Sequence, residues 1–299
     1  MRILIVCSGT KNKLSPFIKE QMDSLKVNNI DLSLFQIKKK GPIGYLFSLK
    51  LLKNQIKTFK PDLIHAHYGL SGLFANLQRK VPVITTYHGS DINDKKTLLL
   101  SMISIILSKH NIFVSQSLKN VSKVKYGYSI IPCGIDLKIF KYIEKNEARK
   151  IMNLELSRKY VLFSGSFDNE IKNSILAQNA VKRMDNVTLI ELKNYTRSEV
   201  NLLFNSVDVA LLTSFSEGSS QFVKEAMACN CPVVSTNVAD LILLFGDVPG
   251  FFLTDFTPDA CAKQIEKALI FSIQEGMKSG RQRIIDLGLE SSEVAKKII

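Results

Sequence analysis

The sequence predicts an α/β protein built from two β/α/β units that face one another across a cleft. Three observations carry that prediction. Short apolar runs alternate with helical periods, the alternation halts at a polar stretch and then restarts, and 299 residues are enough for two average domains. The runs are continuously apolar, as strands are when helices cover both faces of a parallel sheet.

Arg2–Ser8, rich in Ile, Leu and Val, reads as the first strand, Pro16–Val27 as a helix and Leu32–Gln36 as a strand. Tyr45–Phe59 follows as a helix, Asp62–His67 as a strand and Gly69–Leu77 as a helix. Val83–Tyr87 is extended, Thr97–Lys109 helical and Ile112–Ser115 extended. The polar stretch Lys138–Lys159, with its clusters of Lys, Glu and Arg, sets the boundary. Residues 1–140 then form one domain and 141–299 the other, with the last ~15 residues returning to the first. In the second domain Tyr160–Ser164, Val187–Leu192, Val209–Thr213 and Pro232–Thr236 read as strands. Asn173–Met184, Ser198–Phe204, Phe222–Cys229, Asp259–Ile270 and Gln274–Ile285 read as helices.

Composition excludes several classes. With 45% apolar and 22% charged residues, 15 Gly and 8 Pro, the chain is neither disordered nor collagen-like nor a coiled coil. Its longest apolar segment, Leu98–Leu107, is broken by Ser101 and Ser104 and falls short of the ~18–20 residues of a membrane span. The run Met1–Cys7 is too brief for a signal-peptide core, so the chain is expected in the cytosol, at the inner face of the membrane. Cys7, Cys133, Cys229, Cys231 and Cys261 form no C-x-x-C pair and read as buried, reduced thiols. The net charge of +13 is uneven: residues 1–140 hold 21 Lys and Arg against 7 Asp and Glu, the rest 19 against 20. One half therefore calls for an anionic partner.

Ligands of open α/β sheets bind beyond the carboxyl ends of strands, so the residues following each strand are the candidate site. In the first domain these are Gly9, Lys11 and Lys13, then His65 and His67, then His88 and Asp91. In the second they are Gly165 and Lys172, then Glu217, Gly218, Ser219, Ser220 and Gln221 at a strand-to-helix turn, with Glu225 inside the helix. Gly218 lets backbone approach closely, and the two serines can cap the helix. The N–H groups and dipole of that helix form an anion site. A carboxylate can accept both hydroxyls of a vicinal diol, so Glu217 and Glu225 together point to a sugar diphosphate or a nucleotide ribose. A capped helix with solvent-facing glutamates is the plainer alternative. His65 and His67 share a strand face and would make half a metal site. No third ligand and no D-x-D motif accompany them, so no metal is expected. His110 reads as structural.

In Gly44–Lys60, Lys50, Lys53, Lys57 and Lys60 fall on one helical face and Leu46, Leu49, Leu52, Ile56 and Phe59 on another, just after Lys38–Lys40. Such a helix suits an anionic membrane surface. Alternatively its apolar stripe packs on the sheet and its lysines face water. Nucleic acid would answer the same charge, but no zinc finger, RNP-type aromatic motif or helix-turn-helix pattern is present, so it is not an expected partner.

The string Ser214–Thr236, SFSEGSSQFVKEAMACNCPVVST, resembles the E-x7-E segment of the retaining GT-B glycosyltransferases of family 4. Asp62–His67, Thr86–Asp91 and Ile131–Asp136 with Phe140 fall in that family's order, so the resemblance covers most of the chain. It implies a GT-B fold of two Rossmann-like domains, the first binding the acceptor and the second the nucleotide sugar. By the same resemblance Glu225 holds the nucleotide ribose and Glu217 contacts the donor sugar. His88 stands at the reacting centre. Lys172 fits the Lys of the family's diphosphate clamp, while Ser166–Asn169 offers no Arg for its other half. Asn230 stands where the family usually has Gly.

The expected reaction moves a sugar, with retention, from a nucleotide diphosphate to a polysaccharide or lipid-linked glycan acceptor in cell-envelope glycan synthesis. It uses no metal and no fixed protein nucleophile. N–H dipoles and Lys172 neutralise the leaving phosphate. Catalytic roles then go to His88 and Glu217, and donor binding to Gly9, Gly165, Lys172, Gly218, Ser219, Ser220, Gln221 and Glu225. The acceptor or membrane side takes Lys11, Lys13, His67, Asp91, Lys50, Lys53 and Lys57. Two alternatives stay open. A nucleotide-sugar epimerase of the same fold would need carboxylate bases in the first domain, where Asp91 and Glu20 are the ones placed for it. The other is a basic binding protein without catalysis.

Overall fold

A computed structural model describes residues 1–8, 14–27, 30–38, 41–274, 276 and 278–298. Gly9, Lys11, Lys13, Lys39 and Lys40 lie outside the described residues. The chain divides into two units, Met1–Gly134 with Ser291–Ile299, and Ile135–Glu290.

The first unit runs β1 (Arg2–Ser8), α1 (Pro16–Val27), β2 (Asp31–Ile37), α2 (Gly41–Phe59), β3 (Leu63–His67), α3 (Gly69–Asn76), β4 (Val83–Tyr87), α4 (Ser90–Asn93), α5 (Lys95–Leu107), β5 (His110–Phe113), α6 (Gln116–Ser122) and β6 (Tyr128–Ile130). The second runs α7 (Lys145–Ile151), β7 (Lys159–Phe163), α8 (Ser174–Val181), β8 (Val187–Glu191), α9 (Arg197–Ser206), β9 (Val209–Leu212), α10 (Gln221–Ala228), β10 (Val233–Thr236), α11 (Leu241–Phe245), β11 (Phe251–Thr254), α12 (Pro258–Gln274) and α13 (Gly280–Asp286). The chain then returns to the first unit as α14 (Ser291–Ile298).

Both sheets are wholly parallel, ordered β2-β1-β3-β4-β5-β6 and β11-β10-β9-β7-β8. Each is covered on both sides, which is why its strands are apolar throughout. In β1, Ile3, Ile5 and Cys7 pack with α1 residues Ile18, Met22 and Leu25 and with Ala295 of α14. The alternating Leu4 and Val6 pack with Leu52, Ile56 and Phe74 from α2 and α3. In β7, Tyr160 and Leu162 meet α9 and α10, while Val161 and Phe163 meet α8 and α12. All five cysteines are free thiols, and burial pushes Cys7 up to about 11 and Cys231 and Cys261 to about 12.

Several expected helices change their bounds, α2 starting at Gly41 and α12 running on to Gln274 among them, and two of the changes have a visible cause. Thr97–Lys109 starts earlier, at Lys95, because the Asp94 carboxylate accepts the Lys96 N–H and caps it there. Gln274–Ile285 is not one helix: α12 runs through Gln274, Gly276 takes a left-handed φ of 63°, and α13 opens at Gly280. Asn230, in the position expected of a glycine, adopts a left-handed φ of 56° after α10 and accepts the Arg281 N–H.

Candidate functional site

Each unit adds its second strand on one side of its first and its third on the other. The switch points therefore lie between β1 and β3 and between β7 and β9. At the second of these, the loop after β7 ends in a 3-10 turn, Glu170–Lys172, and meets the loop after β9. Thr213 Oγ1 donates to the carbonyls of Lys172 and Asn173, both at 2.9 Å, and the Phe215 N–H donates to the Ile171 carbonyl at 2.9 Å. Lys172 Nζ then stands 2.7 Å from Glu217 Oε1, which also accepts the Ser214 hydroxyl at 2.7 Å. Gly165 makes room for that lysine, since a Cβ there would lie 3.3 Å from Lys172 Cγ. The Lys172 and Glu217 side chains stay 21% and 15% exposed, so the pair is reachable from solvent.

Of the two serines expected to cap α10, Ser220 does so, its Oγ accepting the Val223 N–H at 3.4 Å. Gly218 is buried in the turn, Ser219 is half-buried, and Gln221 opens the helix. Glu225 lies a turn inside α10, its side chain 5% exposed, and pairs with Arg197 Nη2 at 2.9 Å. Arg197 in turn stacks on the Phe140 ring, 4.5 Å from its centroid. The two glutamates expected on one ligand are therefore held by separate cations. Glu191, at the end of β8, accepts the Phe167 N–H at 2.6 Å and the Ser166 hydroxyl at 3.0 Å, fixing the loop after β7. Buried Ser164 Oγ has no hydrogen-bond partner among the described residues.

In the first unit three imidazoles gather at the ends of β3 and β4. The His65 and His67 rings stack 4.5 Å apart, and His67 lies 5.2 Å from His88. His65 Nε2 bonds Thr86 Oγ1 at 2.7 Å, His67 Nδ1 bonds His88 Nε2 at 3.0 Å, and His88 Nδ1 meets Cys133 Sγ at 3.6 Å. His67 Nε2 is buried with no hydrogen-bond partner among the described residues. A bare lone pair is cheaper to bury than an orphaned N–H, which assigns the His67 proton to Nδ1 and makes it the donor to His88. Both ring nitrogens of His88 thus face protein atoms, and the Phe17 and Tyr68 rings flank it at 4.8 Å. Burial lowers His65 to about 4 and holds His67 well below the usual imidazole value, with help from the neighbouring rings.

Asp91 is buried, and its oxygens accept the N–H groups of His88, Gly89 and Gly69 at 2.9–3.0 Å. Burial raises its carboxyl, and those N–H bonds oppose the rise. It sets the turns that open α3 and α4. A base committed in this way does not suit the proton abstraction an epimerase needs. On α2, Lys50, Lys53 and Lys57 are exposed while Leu52 and Ile56 are buried against the sheet. His110 Nε2 bonds Ser129 Oγ at 2.9 Å, joining β5 to β6.

Sequence reading missed Arg197, Ser214, Thr213 and the pairing of His67 with His88. Only the capping box Thr196–Glu199 marks Arg197 as the start of a helix, and nothing local ties it to Glu225.

Residues 4–139 match the family described as Glycosyltransferase Family 4, and residues 164–270 match Glycosyl transferases group 1. With two Rossmann-like units and matches that together take in most of both, the chain belongs to the GT-B glycosyltransferases. TuaC of Bacillus subtilis (strain 168), assigned as a teichuronic acid biosynthesis glycosyltransferase, is 24% identical over 265 residues, covering 78% of this chain and 67% of TuaC. The chain spans 55–60% of the other curated relatives it matches. Sucrose-phosphate synthase from Thermosynechococcus elongatus has the same fold, with a TM-score of 0.82 at 18% identity over 99% of this chain and 96% of that one. HepE of Anabaena, solved in complex with UDP, gives 0.75 at 15% identity over 100% and 98%.

Proposed function

We propose that this chain transfers a sugar from a nucleotide-diphosphate donor to a polysaccharide or lipid-linked glycan acceptor of the cell envelope, with retention and without a metal, at the inner face of the membrane. The second unit takes the donor and the first the acceptor. The observation that carries this reading is the Lys172–Glu217 pair, 2.7 Å apart at the β7/β9 switch point.

Breaking the bond from the sugar's anomeric carbon to the β-phosphate leaves negative charge on the phosphate oxygen. A preorganised cation lowers that barrier because it need not reorient as the charge grows. Lys172 fills this role, and the N–H groups at the start of α10 add their dipole. A bound diphosphate competes with Glu217 for Lys172, which frees the carboxylate to accept hydroxyls of the donor sugar. Glu225, paired with Arg197, accepts a ribose hydroxyl. His88 orients the donor sugar or the oxygens at the reacting centre, with His67 fixing its ring. HepE was solved with UDP, which supports uridine nucleotides as first donors to try, and TuaC is assigned to teichuronic acid biosynthesis, which supports a glycan acceptor.

Isothermal titration with UDP, GDP and ADP tests the reading. One of them is expected to bind, and Glu225→Ala to weaken that binding about 10–100-fold, the worth of a hydrogen bond to a charged group. Absence of heat with all three overturns it.

A further inference from the structure

Helix α5 is patterned in reverse for a helix packed on a sheet. Its inner face carries Ser101 and Ser104, both fully buried, while Leu99, Leu100, Ile103 and Ile106 point to solvent, Leu99 at 70% and Ile106 at 78% exposure. The cause is its neighbour α3. A Cβ on Gly69 would stand 1.9 Å from Ser101 Oγ, and one on Gly72 would stand 2.4 Å from Ser104 Oγ. The two helices therefore approach too closely for large residues between them. The serines are satisfied there, Ser101 Oγ donating to the Asp91 carbonyl at 2.7 Å and Ser104 Oγ accepting from the Tyr87 hydroxyl at 3.3 Å. Leu99, Leu100, Ile103 and Ile106 are left outside, while Ile105 is buried on the inner side with Leu98 and Met102 packed beside it, and α3 and its C-cap add exposed Leu70 and Leu77. Single exposed leucines need no explanation, but a helix whose outer face is apolar along its length does.

The ridge is basic at both ends. Lys95 and Lys96 open α5, and Lys109 follows it. The bond from Asn76 Nδ2 to Ser108 Oγ, 3.1 Å, brings the end of α3 beside the end of α5, so Arg79 and Lys80 join Lys109. Between residues 69 and 109 Asp94, the α5 cap, is the sole exposed acid.

We infer that the α3–α5 ridge rests on an anionic lipid surface, its Leu and Ile side chains entering the boundary between headgroups and acyl chains and its basic ends meeting lipid phosphates. A second copy of the chain fits poorly, because either pairing of two ridges sets basic end against basic end. At 13 residues α5 is too short to span a bilayer and suited to lie in its plane. The inference deepens the membrane-side part of the proposed function and names a surface other than the α2 lysines.

Flotation of the full chain with vesicles, in the absence of nucleotide and acceptor, tests it. The protein should float with phosphatidylcholine vesicles containing phosphatidylglycerol and not with pure phosphatidylcholine. It should be released toward 1 M salt, where the screening length falls to about 3 Å. The double variant Leu99→Ser, Ile106→Ser, altered only at exposed positions and checked for an unchanged melting temperature, should float about tenfold less or worse. A wild type that stays unfloated, or a double variant that floats as well as the wild type, overturns the inference. So does loss of flotation in Lys50→Glu, Lys53→Glu, Lys57→Glu with the ridge variant unaffected, since that moves the contact to α2. A dimer in sedimentation velocity that the ridge variant abolishes gives the ridge to a second copy and also overturns it. Titration of the same samples with UDP reports on the donor site alone, so the two readings fail separately.

Discussion

Lys172 is held by a carboxylate and a glycine, Glu217 drawing its ammonium at 2.7 Å and Gly165 giving room to its stem. Replacing it with Met removes the cation while keeping most of the volume, so donor affinity and fold should change less than turnover. We expect kcat to fall about 10²–10³-fold in a transfer assay, and a fall of less than about tenfold would remove Lys172 from the leaving-group role. The histidine stack predicts a different response. His65 sits at about 4 against an ordinary 6.5, and His67 is also depressed, so both are carried neutral. The unfolded chain takes up these protons below 6.5, whereas the fold resists that of His65 until about 4 and that of His67 well below 6.5. Their contribution is therefore complete above 6.5 and lost as pH falls toward 4. The melting temperature should drop across that window, and His65→Gln should flatten the drop; equal slopes would refute the assignment. Lys172, Glu217 and Glu225 were legible in the sequence because they sit at fixed offsets from a strand end and a glycine turn. Arg197 and the His67–His88 bond were not, because each joins residues brought together only by neighbouring strands or helices.

At the scale of elements, the α3–α5 contact is where a single methyl group has the largest leverage. In Gly69→Ala the new Cβ would meet Ser101 Oγ at 1.9 Å, Ser101 Cβ at 2.6 Å and Ser101 Cα at 2.9 Å, so rotating the hydroxyl alone does not relieve the clash. Overpacking of this kind costs about 1–3 kcal/mol. The urea midpoint should fall accordingly, while Gly127→Ala, with nothing within 4 Å but a φ of +68°, reports only backbone strain. The parallel strands were legible from their unbroken apolar runs. The three-residue β6 was not, being too short to show a period, nor was β11, and α7, with Ala148 and Arg149 buried, hid inside the polar stretch taken for a linker.

For the molecule as a whole, the uneven charge was readable by counting, but what it covers was not. Counting shows a basic first half; only the fold shows that Arg79 and Lys80 stand with Lys109 at one end of an apolar ridge. The return of α14 has its own test. Val294 and Ala295 are buried there, Val294 against Ile112 and Ile131 and Ala295 against the α1 side of the sheet. Ending the chain at Glu290 should cost the first unit about 1.5–3 kcal/mol for Val294 alone. Amide hydrogen exchange should speed up in β1 and α1 and stay as it was in β7 and α8. Exchange unchanged in α1 would mean that α14 is dispensable.

That returning helix also imposes an order in time. A ribosome delivers α1 early and α14 only after residues 28–290, the whole of Ile135–Glu290 among them, have been made, a delay of roughly 13–53 s at 5–20 residues per second. For that interval the oily flank of α1 has no cover of its own, while the middle of the chain is free to fold from contiguous residues. The piece synthesised first is therefore finished last, and nascent chains stalled short of residue 291 should be the ones that chaperones hold.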